Sequence, residues 1–136
     1  MRIETTILGN LLLNEEYTRK VLPFLKNDYF TSNAEKIVYD TVNDFVSKYN
    51  SLPTKEALSI ELQEVKINEE EFKETMELLD EISKDTEEYT DLSWLLDTTE
   101  KFCQDKAIYN AVVESISILD NPKSNQDKGI IPEILS

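Results

Sequence analysis

Between Asp91 and Leu119 the chain carries neither proline nor glycine, and no other stretch constrains the fold as strongly. Nothing local stops a helix there: Asp91 supplies a cap at the start, and Asn121-Pro122 supplies an end. At 1.5 Å per residue such a helix is roughly 43 Å long, longer than a domain of this size is wide. Its apolar residues, Leu95, Phe102, Tyr109, Val112, Ile116 and Leu119, are spaced by threes, fours and sevens. Leu96, Cys103, Ala107, Ala111 and Ile118 lie close beside that line. A face this wide is usually covered from more than one side. The residues before it can cover its start but not its end, so the stretch reads as an arm that requires a partner.

The preceding residues read as a run of shorter helices. Ile3 to Leu13 presents Ile3, Ile7, Leu8, Leu11 and Leu12 to one side, with Gly9 in mid-pattern. A glycine there costs about 1 kcal/mol against alanine, and close approach of another helix backbone is the preferred explanation. Asn14 closes this helix and caps the next, which carries Tyr17, Val21 and Leu22 and stops or bends at Pro23, because the residue before a proline is pushed out of the α region. Phe24, Leu25, Tyr29 and Phe30 form an apolar connector expected to pack under the helices. Ser32 and Glu35 make a capping box. It opens a helix with Ala34, Ile37, Val38, Thr41, Val42, Phe45, Val46 and Tyr49 on one face. Thr54 caps a shorter helix with Ala57, Leu58, Leu62 and Val65 inward, and Asn68 caps another with Phe72, Met76, Leu79 and Ile82 as its inner stripe.

With two glycines and four prolines among 136 residues, and helical spacing almost throughout, the fold class is all-α. The expected organisation is a small helical head of about five helices over residues 1–90, then the arm, a loop and the start of a further helix over 91–136. The polar stretch 85–91 is the expected hinge between them. Residues 121–128 read as a polar loop, and a helix beginning at Pro132 is cut off after barely one turn.

Charge and composition exclude several functions. Fourteen basic against 28 acidic residues give a net charge of −14, with the basic residues scattered. Such a chain is repelled by phosphate backbones, so direct nucleic-acid binding by this segment is not expected, whereas a basic protein partner is electrostatically favourable. The single cysteine rules out an internal disulfide and suits a reducing cytoplasm, and no signal peptide or membrane-spanning run is visible. There is no histidine and no Gly-rich phosphate cradle, and Cys103, on an apolar helix face, reads as a small core residue. Carboxylate pairs such as Glu70 with Glu74, or Glu77 with Glu81, share helix faces; a solvated face is the ordinary reading, and divalent-metal binding the functional one. No catalytic, cofactor-binding or metal-binding residue is assigned. For Phe102 and Tyr109, core packing and interface anchoring stand as equal readings. Trp94, within reach of the head, is expected in the core.

The run from Ile3 to Asn14 with its Leu-Gly, then Val21-Leu22-Pro23, Asp28-Tyr29-Phe30 and the helix from Ala34 to Tyr49, resembles the start of the DnaB-type replicative helicases. Leu52 to Leu58 looks like the next element of that family. Ser93 to Leu96, Thr99 to Phe102 and Ala107 to Ala111 are similar to the helicases of T-even-like bacteriophages. The resemblance implies a helical head followed by a long antiparallel helical hairpin. Hairpins from two subunits pair, and three pairs build a collar on the hexamer. The collar helps to hold the ring around single-stranded DNA and offers a docking surface for primase, with a helicase loader as another partner. It also implies that ATP and magnesium belong to a RecA-like C-terminal domain whose motifs this chain lacks. The family's second hairpin arm is almost missing here, and its catalytic residues have no matching positions.

The expected role is therefore assembly and partner docking in a hexameric replicative helicase in the host cytoplasm, without catalysis by this segment. Phe102, Tyr109, Val112, Ile116 and Leu119 are the expected interface residues. The alternative is a standalone acidic phage protein that binds and inhibits a basic host nucleic-acid-binding protein. A metal-dependent enzyme resting on the carboxylate pairs is a third, weaker reading.

Overall fold

The starts of the helices are set by their own side chains. In the computed structural model, which describes residues 2–84 and 91–120, Asn14 accepts from the Tyr17 amide at 3.0 Å and donates its own amide to the Asn10 carbonyl, closing α1 (Ile3–Leu13) and opening α2 (Glu15–Val21). Ser32 and Glu35 form the expected reciprocal capping box at the head of α3 (Asn33–Tyr49). Thr54 caps α4 (Lys55–Glu64) through the Ala57 amide. Asn68 and Glu71 exchange hydrogen bonds at the start of α5 (Glu69–Lys84). Asp91 accepts from the Trp94 amide at 3.0 Å and so starts α6 (Leu92–Asp120), which runs unbroken through 29 residues. With a 3-10 turn at Asn27–Tyr29, these six helices make the described residues all-α. The expected loop at 121–128, the helix from Pro132 and all of the hinge except Asp91 lie outside the described residues.

Within the head, α3 packs on α5, α1 lies against α2, α3 and α5, and α4 contacts α3 and α5. The core comprises Ile7, Leu8 and Leu11 from α1, Tyr17 and Val21 from α2, Val38 and Val42 from α3, Leu58 and Leu62 from α4, and Leu79 and Ile82 from α5. Gly9 is buried on the same helix that these three neighbours enclose. Two carboxylates, Glu35 and Glu4, belong to this interior. Glu35, 1% exposed, accepts from the Thr31 and Ser32 amides and pairs with the Arg2 guanidinium at 3.0 Å, while Arg2 also pairs with Glu4 at 2.8 Å. Those carboxylates raise the Arg2 pKa above its ordinary value, the Glu4 hydrogen bond being the largest cause.

Several details depart from the sequence reading. Pro23 ends α2, yet Leu22 stays in the right-handed helical region (φ −55°, ψ −40°). The α region is disfavoured before proline rather than forbidden, and a closing turn holds Leu22 there, with the Phe24 and Leu25 amides both donating to the Val21 carbonyl. In that tight bend Leu25 takes the inward position and Phe24 is left 70% exposed. The connector is fixed by Tyr39, a buried residue absent from the expected face of α3, whose hydroxyl donates to the Leu25 carbonyl at 2.8 Å. Tyr49, expected inward, lies in the last turn of α3, exposed, its ring on Phe45 and beneath the Lys48 ammonium. Phe72 and Met76 are only half-buried, because Thr75 joins Leu79 and Ile82 on the inner side of α5, and Val65 is exposed at the end of α4.

Candidate interaction surface

The chain divides into two units, Met1–Glu100 and Lys101–Ser136, so the first turns of α6 belong with the head. Leu95 and Thr99, four residues apart and therefore on one side of the helix, are buried there. The Thr99 hydroxyl meets the buried Tyr17 hydroxyl of α2 at 2.6 Å. Trp94 does not join them. One residue before Leu95, it is turned by a helix's 100° step out of that side and is 51% exposed, which corrects the expectation that it fills the core.

In the second unit the structure separates the five expected interface residues. Phe102 is buried, at 7% exposure, and offers little surface to a partner. Tyr109, Val112, Ile116 and Leu119 are 50–63% exposed. Ile108 and Val113, which the sequence reading left out, are exposed as well. At 3.6 residues per turn these six side chains fall within an arc of about 140°. Tyr109, Val112, Ile116 and Leu119 repeat at three and four, the spacing of a coiled-coil seam, and Ile108 and Val113 flank it on either side. Apolar flanks make the band wider than a two-stranded seam, so it suits packing against more than one helix. The two flanking positions were legible as apolar neighbours of the seam but fell off the single line traced through it.

The polar groups nearby do little chemistry. The Lys106 ammonium lies 5.8 Å from the centre of the Phe102 ring and 5.9 Å from that of Tyr109, an i,i+4 and i,i+3 arrangement in which cation–π attraction contributes about 0.5–1 kcal/mol. Burial pushes the half-buried Cys103 thiol above its ordinary pKa, the opposite of what an activated nucleophile needs. In the head, Glu70, Glu74, Glu77 and Glu81 are all exposed, and among the described residues no three metal-ligating side chains cluster. No helix among the described residues is long and apolar enough to cross a membrane.

Charge is divided as unevenly as apolar surface. Up to Glu100 the sequence has 10 basic and 23 acidic residues, and from Lys101 on 4 and 5, so all but one of the 14 net negative charges lie in the first unit. The second unit, which carries the apolar band, is nearly neutral. Copies of it can approach with little direct repulsion, whereas the head repels anions and attracts cations.

Two comparisons show what the chain is similar to. The model of the DnaB-like helicase N-terminal domain matches residues 1–96. A DnaB-like replicative helicase of enterobacteria phage T4 is 30% identical over 137 residues, covering 95% of this chain but 28% of that protein. The chain thus spans less than a third of the length of that relative. A helical head and a long helix after it are what the resemblance implied, and the chain belongs to the family of the DnaB-like helicase N-terminal domain.

Proposed function

We propose that this segment is the assembly and partner-docking domain of a hexameric replicative DNA helicase acting in the host cytoplasm, with no catalysis of its own. The reading rests on one observation above others: α6 is continuous, and its far half leaves Ile108, Tyr109, Val112, Val113, Ile116 and Leu119 exposed in one band. An isolated soluble domain gains nothing from such a band, whereas a subunit gains an interface. In this reading residues 91–136 are the first arm of a helical hairpin and the beginning of the second. Arms of two subunits pair, pairs build the collar, and the assembled collar receives primase or a helicase loader. ATP, magnesium and DNA translocation are the work of a further domain.

The test is the double variant Tyr109→Ala, Ile116→Asp. Both side chains are exposed, so the fold should survive, as circular dichroism will report. Burying a tyrosine and an isoleucine contributes about 1.5–3 kcal/mol each, so their loss weakens self-association by about a hundredfold or more. An unchanged mass by light scattering at high concentration would count against the reading. The standalone acidic inhibitor is favoured by net charge alone. Reading the gene beyond codon 136 separates the two: an open frame containing Gly-x-x-x-x-Gly-Lys-Ser/Thr supports the helicase, and a stop codon supports the inhibitor.

A further inference from the structure

The head carries an apolar surface of its own, independent of the reading of α6. Leu62, Val65, Ile67 and Phe72 line a groove of about 290 Å³ between the end of α4 and the start of α5, with Gln63 and Glu69 also in its lining. The local fold explains why it is left unfilled. α4 ends as Val65 turns to extended backbone (φ −77°, ψ 138°), its amide bonding the Leu62 carbonyl, and the Ile67 amide then bonds the Val65 carbonyl. This tight path leaves Val65 exposed and Ile67 and Phe72 half-covered, above a fully buried Leu62.

The surroundings select the occupant by charge. From Glu61 to Glu71 there are five carboxylates against the single cation of Lys66. Glu64, Glu69 and Glu70 are exposed and make no ion pair within 4 Å among the described residues. A second copy of this acidic unit or a nucleic acid would be repelled, and an acidic peptide likewise. We propose that the α4–α5 groove is a docking site for a basic segment of a partner protein, which inserts a large apolar side chain between Val65 and Phe72 while its lysines or arginines face Glu64, Glu69 and Glu70. The volume suits one such side chain, so this is a small anchor site of the kind in which apolar fit and peripheral charge act together.

The probe is a fluorescein-labelled amphipathic Lys/Leu peptide of about 14 residues, with a Lys/Ser peptide of equal charge as control, titrated by anisotropy against the whole 136-residue chain. The Lys/Leu peptide should bind at least tenfold more tightly than the control. Glu64→Lys with Glu69→Lys should weaken it at least tenfold. Tyr109→Ala with Ile116→Asp should leave it unchanged. Amide shifts in the unaltered chain should map to residues 62–72. Equal binding of both peptides would overturn the proposal, because charge alone would then be the whole effect. Loss of binding in the α6 variant, or shifts confined to 108–119, would overturn it by placing the peptide on α6. No measurable binding would overturn it outright.

Discussion

Replacing Glu35 by alanine tests the idea that a buried carboxylate at the start of α3 holds the head together. The substitution removes the acceptor of the Ser32 amide at 3.2 Å and of the Thr31 amide at 3.3 Å, and half of the Arg2 clamp. Loss of the cap costs about 1 kcal/mol. Alanine keeps Cβ, so one buried methylene is lost, at about 0.8 kcal/mol. The Arg2 pairing is discounted to about 0.5 kcal/mol, because that guanidinium is 59% exposed and keeps Glu4. Together these give about 2 kcal/mol. With a urea m-value of about 1.5 kcal/mol/M, the unfolding midpoint should fall by about 1.5 M. Glu35→Gln keeps the stem and one acceptor oxygen and should cost about 1 kcal/mol, as should Ser32→Ala, which removes only the hydroxyl that receives the Glu35 amide. Urea titrations followed by far-UV circular dichroism measure all three. If Glu35→Ala proves no worse than Ser32→Ala, the buried carboxylate is not what holds the junction of α1 and α3.

Two further outcomes follow from ionisable groups. Lys55, whose ammonium lies 2.7 Å from Asp80, holds the Asp80 carboxyl below its ordinary pKa by hydrogen bond and charge; a depressed folded value means that the stabilisation is present above the ordinary carboxylate range and is lost as pH falls through the lowered value. Lys55→Met should return Asp80 to the ordinary range in an NMR titration of its side-chain carbon, and an unmoved titration would contradict the pairing. Burial raises the Cys103 thiol, so iodoacetamide should alkylate it more slowly at neutral pH than the same cysteine in the urea-unfolded chain, with the gap narrowing as pH rises. Equal rates by mass spectrometry would remove that environment.

What the sequence disclosed is what lies within one helical turn. Asn14, Ser32 with Glu35, Thr54, Asn68 and Asp91 cap helices in the structure because a cap needs only a short polar side chain and an amide three residues on. Which side of a helix faces inward was less legible, since that depends on neighbours far along the chain. Trp94 and Phe24 were expected inside and lie outside, while Tyr39 takes an inner place, its ring 5.4 Å from that of Phe30 and its hydroxyl bonded to the Leu25 carbonyl. The converse holds for threonine, of which only Thr41 was expected inside. Thr18, Thr41 and Thr75 are buried although polar, because each hydroxyl bonds a carbonyl four residues back in or just before its own helix and needs no water. The apolar band on α6 was visible as a pattern, and its continuity and exposure follow from the coordinates; the groove between α4 and α5 has no sequence signature, since a four-residue connection sets how its lining faces.

Because α2 to α6 each begin on a cap supplied by the residue just before, each start is specified locally, without reference to the other helices. Helices as short as α2 and α4 are marginal alone, so docking must hold what the caps specify, through mostly short-range contacts, a regime that favours speed. The Tyr17–Thr99 bond stands apart: it joins positions 82 residues distant and closes a far larger loop than the caps do. It is the latch of the head, tethering the first turns of α6 to α2.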